Sequence, residues 1–262
     1  MKRYLSILLL LACLTPAMAQ TSSTKTLTNA ALHGWEYEIK AGFNIGGTAP
    51  LPFPAEIRSI DGYNPTLSIT IEGNMTKWFG ANNKWGLITG LRLENKGMRT
   101  KATVKNYGME IIMFDADNKQ YSLKGNWTGG VRTKVQNSYL TIPILAAYKI
   151  SSRWNVKAGP CFSYLMDGDF SGHVYEGYMR KDTPTGTKVT FEDGAIATYD
   201  FTHDLRKFQW GMQVGADWKA FKHLKVYADL NWGMNDIFKS GFKTISFDMY
   251  PIFLNIGFGY AF

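Results

Sequence analysis

The chain has 262 residues with a formal net charge of +8, and 15% of the residues are aromatic while 19% are charged. Charged residues make up about 25% of a typical soluble domain, so this composition is poor in charge. No internal stretch of the sequence is long and apolar enough for a transmembrane helix, which excludes a helical multi-pass membrane protein.

The N-terminus has the pattern of an export signal. Its first twenty residues, MKRYLSILLLLACLTPAMAQ, combine a positive start, a short apolar core and a small-x-small site that ends at Ala19. We predict a signal peptide over residues 1–19 and a short periplasmic segment over 20–34. A lipoprotein acylated at Cys13 is the alternative. An exported chain is not expected to bind nucleic acid. Cleavage of the signal peptide would leave Cys161 as the one cysteine, so the mature chain can form no internal disulfide.

Beyond residue 34 the sequence alternates between apolar and polar residues. In the first segment Trp35, Tyr37 and Ile39 lie on one face, and Glu36 and Glu38 on the other. A period of two is typical of a β-strand. Eight such segments, close to the about 9–11 residues that a tilted strand needs to cross a bilayer, cover residues 35–46, 66–78, 85–97, 139–150, 154–166, 208–218, 224–234 and 251–262.

The connections alternate between short and long. The short ones are residues 79–84, 151–153 and 220–223, and the long ones are roughly 47–65, 98–138, 167–207 and 235–249. Short periplasmic turns and long external loops are typical of outer-membrane barrels. We therefore predict an all-β fold, an eight-stranded antiparallel up-and-down transmembrane β-barrel over residues 35–262. Ten strands are expected if the segment 171–204 adds a hairpin in the membrane.

Aromatic residues gather at both ends of the predicted strands, as in the two girdles of a membrane barrel. The turn-side set is Trp35, Tyr37, Trp78, Trp85, Tyr148, Trp154, Trp218, Tyr260 and Phe262, and the loop-side set is Phe43, Tyr139, Tyr164, Phe208, Trp210 and Tyr250. A soluble two-layer sandwich would explain the period of two, but neither the girdles nor the alternating connections.

Two neighbouring strands carry a family resemblance. YLTIPILAAYKI (139–150) followed by VKAGPCFSYLMDG (156–168) resembles the porin-family barrels of Bacteroidetes, a group that includes PorT-like proteins. The resemblance implies an outer-membrane location, with Tyr260 and Phe262 as the C-terminal signal read by the barrel-assembly machinery. It carries over no catalytic residue, and its PorT-like side implies an accessory role in secretion.

The inward faces of the predicted strands hold six acids and six bases. They are Glu36, Glu38, Glu72, Glu94, Asp217 and Asp229 with Lys40, Arg92, Lys149, Lys157, Lys219 and Lys225. An eight-stranded barrel is only wide enough to be filled by side chains, and buried charges need partners. We expect a filled, ion-paired interior; the alternative is a narrow polar pore.

The long loops offer few candidates for chemistry. His173 and His203 could act with Asp200 or Asp204, but their spacing matches no metal motif, so no metal, cofactor or catalytic residue is expected. Six loop residues could form a contact surface or pack the loop against itself: Tyr175, Tyr178, Met179, Phe191, Tyr199 and Phe201.

The sequence therefore predicts a non-enzymatic outer-membrane protein with a structural or surface-interaction role. The alternatives are a narrow porin for small solutes, an accessory factor of a secretion system and a membrane-embedded hydrolase or acyltransferase. The expected partners are outer-membrane lipid, lipopolysaccharide, the barrel-assembly machinery and an extracellular or secretion-system protein bound through the loops.

Overall fold

Eleven β-strands account for most of the chain in the computed structural model, which describes residues 35–79, 82–114, 120–191 and 196–262. The predicted signal peptide and the segment 20–34 lie outside the described residues. The strands are β1 (Trp35–Pro50), β2 (Ile57–Pro65), β3 (Ile69–Phe79), β4 (Trp85–Phe114), β5 (Gln120–Lys149), β6 (Trp154–Lys181), β7 (Lys188–Thr190), β8 (Ile196–Asp200), β9 (Phe208–Lys219), β10 (Leu224–Gly233) and β11 (Met249–Ala261). A single 3-10 turn covers Thr202–Asp204. No helix among the described residues has the length and apolar content needed to span a membrane.

Eight of these strands form a ring. They are hydrogen-bonded in the order β1, β3, β4, β5, β6, β9, β10 and β11. The ring closes where β11 pairs antiparallel with β1, from Glu38 opposite Ala261 to Pro50 opposite Met249. Eight strands, not ten, make up the ring. The apolar C-terminal stretch is therefore a paired strand, and the ring leaves no open edge with unpaired backbone groups.

The faces of the ring strands alternate as the sequence predicts. On β1, Ile39 is 53% exposed and Phe43 52%, whereas Lys40 is 1% and Asn44 2% exposed. The same alternation recurs on β3 and β11. An apolar outer face around a polar interior is the inverse of a soluble domain and is typical of a barrel surrounded by lipid.

Three ring strands run far beyond the predicted boundaries. β4, β5 and β6 have 30, 30 and 28 residues, because the segments 98–138 and 167–181 continue the hairpins beyond the ring. β2 pairs with this upper part of β4, β7 pairs with β6, and β8 pairs with both β6 and β4. The additional strands in the segment 171–204 thus extend the sheet above the ring.

We call these upper parts the head; its described residues are 47–65, 98–114, 120–138, 167–191, 196–207 and 235–248. Its interior is apolar, and the buried side chains include Met98, Val104, Met109, Ile111, Trp127, Val131, Val135, Phe170, Val174, Met179, Phe191, Tyr199, Phe201, Ile237 and Phe238. The polarity of the inward-facing residues therefore changes along a single strand, from charged in the ring to apolar in the head. On β4 the inward residues are Arg92 and Glu94 in the ring and Met98 and Val104 in the head.

Candidate functional site in the barrel interior

Nine of the twelve charged residues predicted for the interior are buried inside the ring. They are Glu38, Lys40, Glu72, Arg92, Glu94, Lys157, Asp217, Lys225 and Asp229. Their positions follow from the pleat, since residues two apart on a strand share a face. Because an unpaired ion in such a place is costly, the contacts of each of these side chains decide what the interior can do.

Arg92 bridges the lumen. Its Nε lies 2.6 Å from Glu72 Oε2, on the neighbouring strand β3. Its Nη2 donates to Gln213 Oε1 at 2.8 Å, and its Nη1 to Asn231 Oδ1 at 3.2 Å. Asn231 belongs to β10, which is four places from β4 in the ring of eight and so lies opposite it. One guanidinium thus connects opposite walls of the ring across the lumen.

Two lysines and two aspartates form a second cluster. Lys157 Nζ lies 2.5 Å from Asp217 Oδ1 and 2.9 Å from Asp229 Oδ1. Lys40 Nζ lies 3.5 Å from the same Asp217 oxygen and 4.8 Å from the centre of the Tyr227 ring. The cluster joins β1, β6, β9 and β10, so it too spans the interior rather than lining one wall.

Lys225 forms a third group near the short turns. It is paired with Glu36 and with Glu38, whose Oε2 lies 3.2 Å from its Nζ. Glu36 and Lys149 are only half-buried, and Lys219 is exposed where β9 ends. Lys219 therefore lies outside the buried network although it has the inward parity and lies opposite the buried Lys225.

The prediction that Trp78 belongs to the outward-facing girdle at the turn side is wrong. It is 9% exposed and points inward, where its Nε1 donates to Glu36 Oε2 at 3.0 Å. Lys149 Nζ lies 3.7 Å from the centre of its ring. The outward aromatic residue at this end of β3 is Phe79, which is 46% exposed. Trp78 thus closes the turn end of the interior with a hydrogen bond and a cation–π contact.

Replacing Trp78 by phenylalanine is expected to destabilise the barrel by about 1–2 kcal/mol, because the half-buried Glu36 carboxylate loses a donor. Urea unfolding from lipid vesicles gives this difference. Trp85→Phe is the matched control, since Trp85 is 60% exposed on the outer face. Equal effects of the two substitutions would contradict a special role for Trp78.

Sequence reasoning missed several members of the interior network. Lys96 Nζ lies 2.9 Å from Glu94 Oε1, which also accepts a hydrogen bond from Thr141 Oγ1 at 2.7 Å. Asn255 Nδ2 donates to Asn44 Oδ1 at 2.6 Å and to Thr70 Oγ1 at 2.7 Å. The signal for Lys96 was present, since it has the same parity as Arg92 and Glu94.

A cavity of about 30 Å³ lies at the upper end of the ring, lined by Glu94, Lys96, Thr141, Ser163 and neighbouring residues. A volume of this size is comparable to what a single water molecule occupies in the liquid. The packing therefore supports a filled lumen.

The six residues predicted for a loop surface separate into two groups. Met179, Phe191, Tyr199 and Phe201 are buried in the head core, while Tyr175 and Tyr178 are half-buried. His173 lies on β6 opposite Thr198, and His203 lies in the 3-10 turn. Within the described part of the chain, no three His, Cys, Asp or Glu residues are grouped to hold a metal ion.

The two residues predicted as an assembly signal lie on the outer face. Tyr260 pairs with Ile39 on β1, and the Phe262 N–H donates to the Tyr37 carbonyl at 3.0 Å. Both side chains are exposed, Tyr260 at 49% and Phe262 at 69%. Their recognition by the assembly machinery stays a prediction.

Comparison with known proteins gives one family match and several structural likenesses. A family model described as outer membrane protein beta-barrel domain matches residues 18–239. No curated protein matches the chain. Among solved structures, Ail, the attachment invasion locus protein of Yersinia pestis, is 10% identical over 87% of this chain and 99% of Ail, with a TM-score of 0.38.

Two other solved structures show a similar degree of likeness. The outer membrane protease OmpT from Escherichia coli is 12% identical over 88% of this chain and 97% of its own, with a TM-score of 0.34. The outer membrane protein OprG from Pseudomonas aeruginosa is 12% identical over 87% of this chain and 95% of its own, with a TM-score of 0.27. At these TM-scores the likenesses add nothing to what the ring and the family model establish.

Proposed function

Because the chain belongs to the outer membrane protein beta-barrel domain family and is thus a bacterial outer-membrane protein, we propose that it is a closed, non-conducting barrel that anchors a rigid head for interactions at the cell surface. In this proposal the chain is a binding protein, not an enzyme. Residues 1–19 direct its export, and the C-terminal Tyr260 and Phe262 direct its assembly.

The observation that carries the proposal is the set of contacts across the lumen. Arg92 joins β4 to the opposite strand β10, and Lys40 on β1 reaches Asp217 on β9, three places away in the ring. An open pore would instead keep its charges on the wall and hydrated. The apolar core of the head above the ring supports a folded platform rather than mobile loops.

The PorT-like resemblance of residues 139–150 and 156–168 favours one specific setting for this platform, beside a secretion system. Deleting the gene tests that setting. Loss of protein export in the deletion strain would support it, and normal export would restrict the role to surface binding.

We expect the refolded mature chain to be silent in a planar bilayer, since side chains fill the ring. Single-channel recording measures this, after heat-modifiable gel mobility has shown that the chain is folded. A second variant replaces residues 108–126 by an Asn-Gly turn, which closes the hairpin on the pair Tyr107–Trp127. It should also be silent, because the blocking contacts lie in the ring.

Steady openings of the wild-type barrel would overturn the proposal in favour of a narrow porin. Openings of the shortened variant alone would locate the block in the head and contradict the filled ring. A known porin in the same bilayer serves as the positive control.

A further inference from the structure

The outer surface of the head contains a basic cleft. It has a volume of about 900 Å³ and lies between β2, β4, β5, β6 and β8. Its lining includes Arg99, Lys101, Arg132, Lys134 and His173. On β4 and β5 these basic residues alternate with Met98, Thr100, Val131, Thr133 and Val135, of which Met98, Val131 and Val135 are buried in the head core, so the basic side chains lie on the opposite, outer face.

Cross-strand pairing brings the like charges together. Arg99 lies opposite Lys134, and Lys101 lies opposite Arg132, which in turn lies opposite His173. Like charges directly opposite each other destabilise a sheet. Burial and the Arg132 charge lower the pKa of His173, as expected beside a cationic group. The head therefore tolerates a local repulsion that a bound anion would relieve.

Acidic residues offset only part of this charge. Lys134 Nζ lies 2.6 Å from Asp169 Oδ2, and Asp200 also lines the cleft. Hydrogen bonds from Ser59 and Thr103 and the Lys101 charge lower the pKa of Asp61 on the neighbouring strand β2. Among the described residues, none of Arg99, Lys101 and Arg132 forms an ion pair with a carboxylate. Three cationic side chains are thus available to a ligand.

An aromatic ring holds two of these cations in place. Lys101 Nζ lies 5.5 Å and the Arg132 guanidinium carbon 5.2 Å from the centre of the Tyr175 ring. A cation–π contact orients a positive side chain without neutralising it. Tyr175 therefore orients Lys101 and Arg132 on the same outer face of the sheet.

The height of the cleft above the membrane indicates which kind of molecule carries the anion. The last outward apolar residue of β4 in the ring is Leu93, six residues before Arg99. With a rise of about 3.3 Å per residue and a tilt of about 40°, Arg99 lies about 15 Å above Leu93. The headgroup region of a phospholipid leaflet adds only about 5–8 Å. A glycolipid with several sugars reaches this height.

We propose that this cleft binds the phosphorylated sugar headgroup of an outer-leaflet glycolipid, with Arg99, Lys101 and Arg132 contacting its phosphates. Arginine forks and lysine ammonium groups form the strong, charge-assisted hydrogen bonds that phosphate oxygens accept. The inference rests on the proposed surface-binding role and names the chemistry of its ligand.

The test measures binding of purified rough lipopolysaccharide, which keeps several phosphorylated core sugars, to the refolded mature chain in an uncharged detergent, by fluorescence anisotropy. Relative to wild type, Arg99→Gln/Lys101→Gln/Arg132→Gln should bind at least about tenfold more weakly. The matched control is Lys105→Gln/Lys181→Gln/Lys243→Gln, which removes the same charge from exposed head residues outside the cleft. It should stay within about twofold of wild type, because exposed charges at a distance are screened.

Two further ligands test whether phosphate groups are needed for binding and whether they must belong to a glycolipid. Lipopolysaccharide stripped of its phosphates should bind the wild-type chain as weakly as intact lipopolysaccharide binds the cleft variant. Inositol hexakisphosphate supplies phosphates without acyl chains, and it should compete only weakly.

Four results would each overturn the assignment: unchanged binding by the cleft variant, equal loss in the control variant, unchanged binding of the stripped glycolipid, or tight competition by inositol hexakisphosphate. The last would reassign the cleft to a soluble polyanion. Single-channel recordings on the same protein preparations test the closed-barrel proposal independently of glycolipid binding by the cleft. A silent barrel without cleft-dependent binding overturns only this inference, and an open barrel with such binding overturns only the closed-barrel proposal.

Discussion

Replacing Arg92 by methionine should lower the free energy of unfolding by about 3–5 kcal/mol, because it removes one partner of a buried ion pair. The Glu72 carboxylate, 1% exposed, would lose the guanidinium 2.6 Å away. Gln213 Oε1 and Asn231 Oδ1 would each lose a donor on the far side of the lumen. The loss is large because neither lipid outside nor packed side chains inside can replace these contacts.

Urea or guanidinium unfolding from lipid vesicles, followed by tryptophan fluorescence and gel mobility, measures this loss. The matched control is the double variant Glu72→Gln/Arg92→Met, which removes both charges. It should recover a large part of the stability, since no unpaired ion remains. A loss below about 1 kcal/mol for Arg92→Met would mean that water reaches the site, and it would contradict the filled interior.

Replacing Trp127 by alanine should cost the head about 3–5 kcal/mol, the usual cost of truncating a buried tryptophan. Trp127 is 0% exposed, and its ring centre lies 5.0 Å from that of Phe191 in an edge-to-face contact. Its Nε1 also donates to the Gly130 carbonyl at 3.2 Å. The substitution therefore leaves a cavity where β5 meets the segment that follows β7.

Limited proteolysis of the folded protein in vesicles detects this effect, with cleavage expected within residues 182–190. Gel mobility should still report a folded barrel, because the ionic contacts of the ring lie outside the head. Tyr121→Ala is the control, since Tyr121 lies on the same strand and is 44% exposed. If the ring and the head unfolded together in Trp127→Ala, the division into two separately packed regions would be wrong.

The alternation within residues 98–136 indicates a hairpin that extends above the membrane, but the polarity pattern of β4 shows why sequence analysis missed the apolar core of the head. Positions 92, 94, 98 and 104 of β4 all point inward, yet they read Arg, Glu, Met and Val. The outside changes along the strand from an apolar environment to water, so the inside changes from polar to apolar. A search for one constant pattern ends the strand near residue 97 and assigns the rest to loops.

The sequence by itself determined the period of two, the alternation of short and long connections and the parity of the interior charges. These depend on local geometry, since neighbouring side chains on a strand alternate whatever the partners are. Even Trp78 could have been placed correctly from parity, because it shares a face with Asn74 and Thr76.

Only the tertiary structure decided which charges meet. Arg92 and Asn231 are 139 residues apart in the chain, and Lys101 faces Arg132 because of the register of one long hairpin. Ring order and register depend on how all the strands pack at once, and no local pattern specifies them. The closed interior and the basic cleft are therefore properties of the folded barrel, although every residue in them can be read from the sequence.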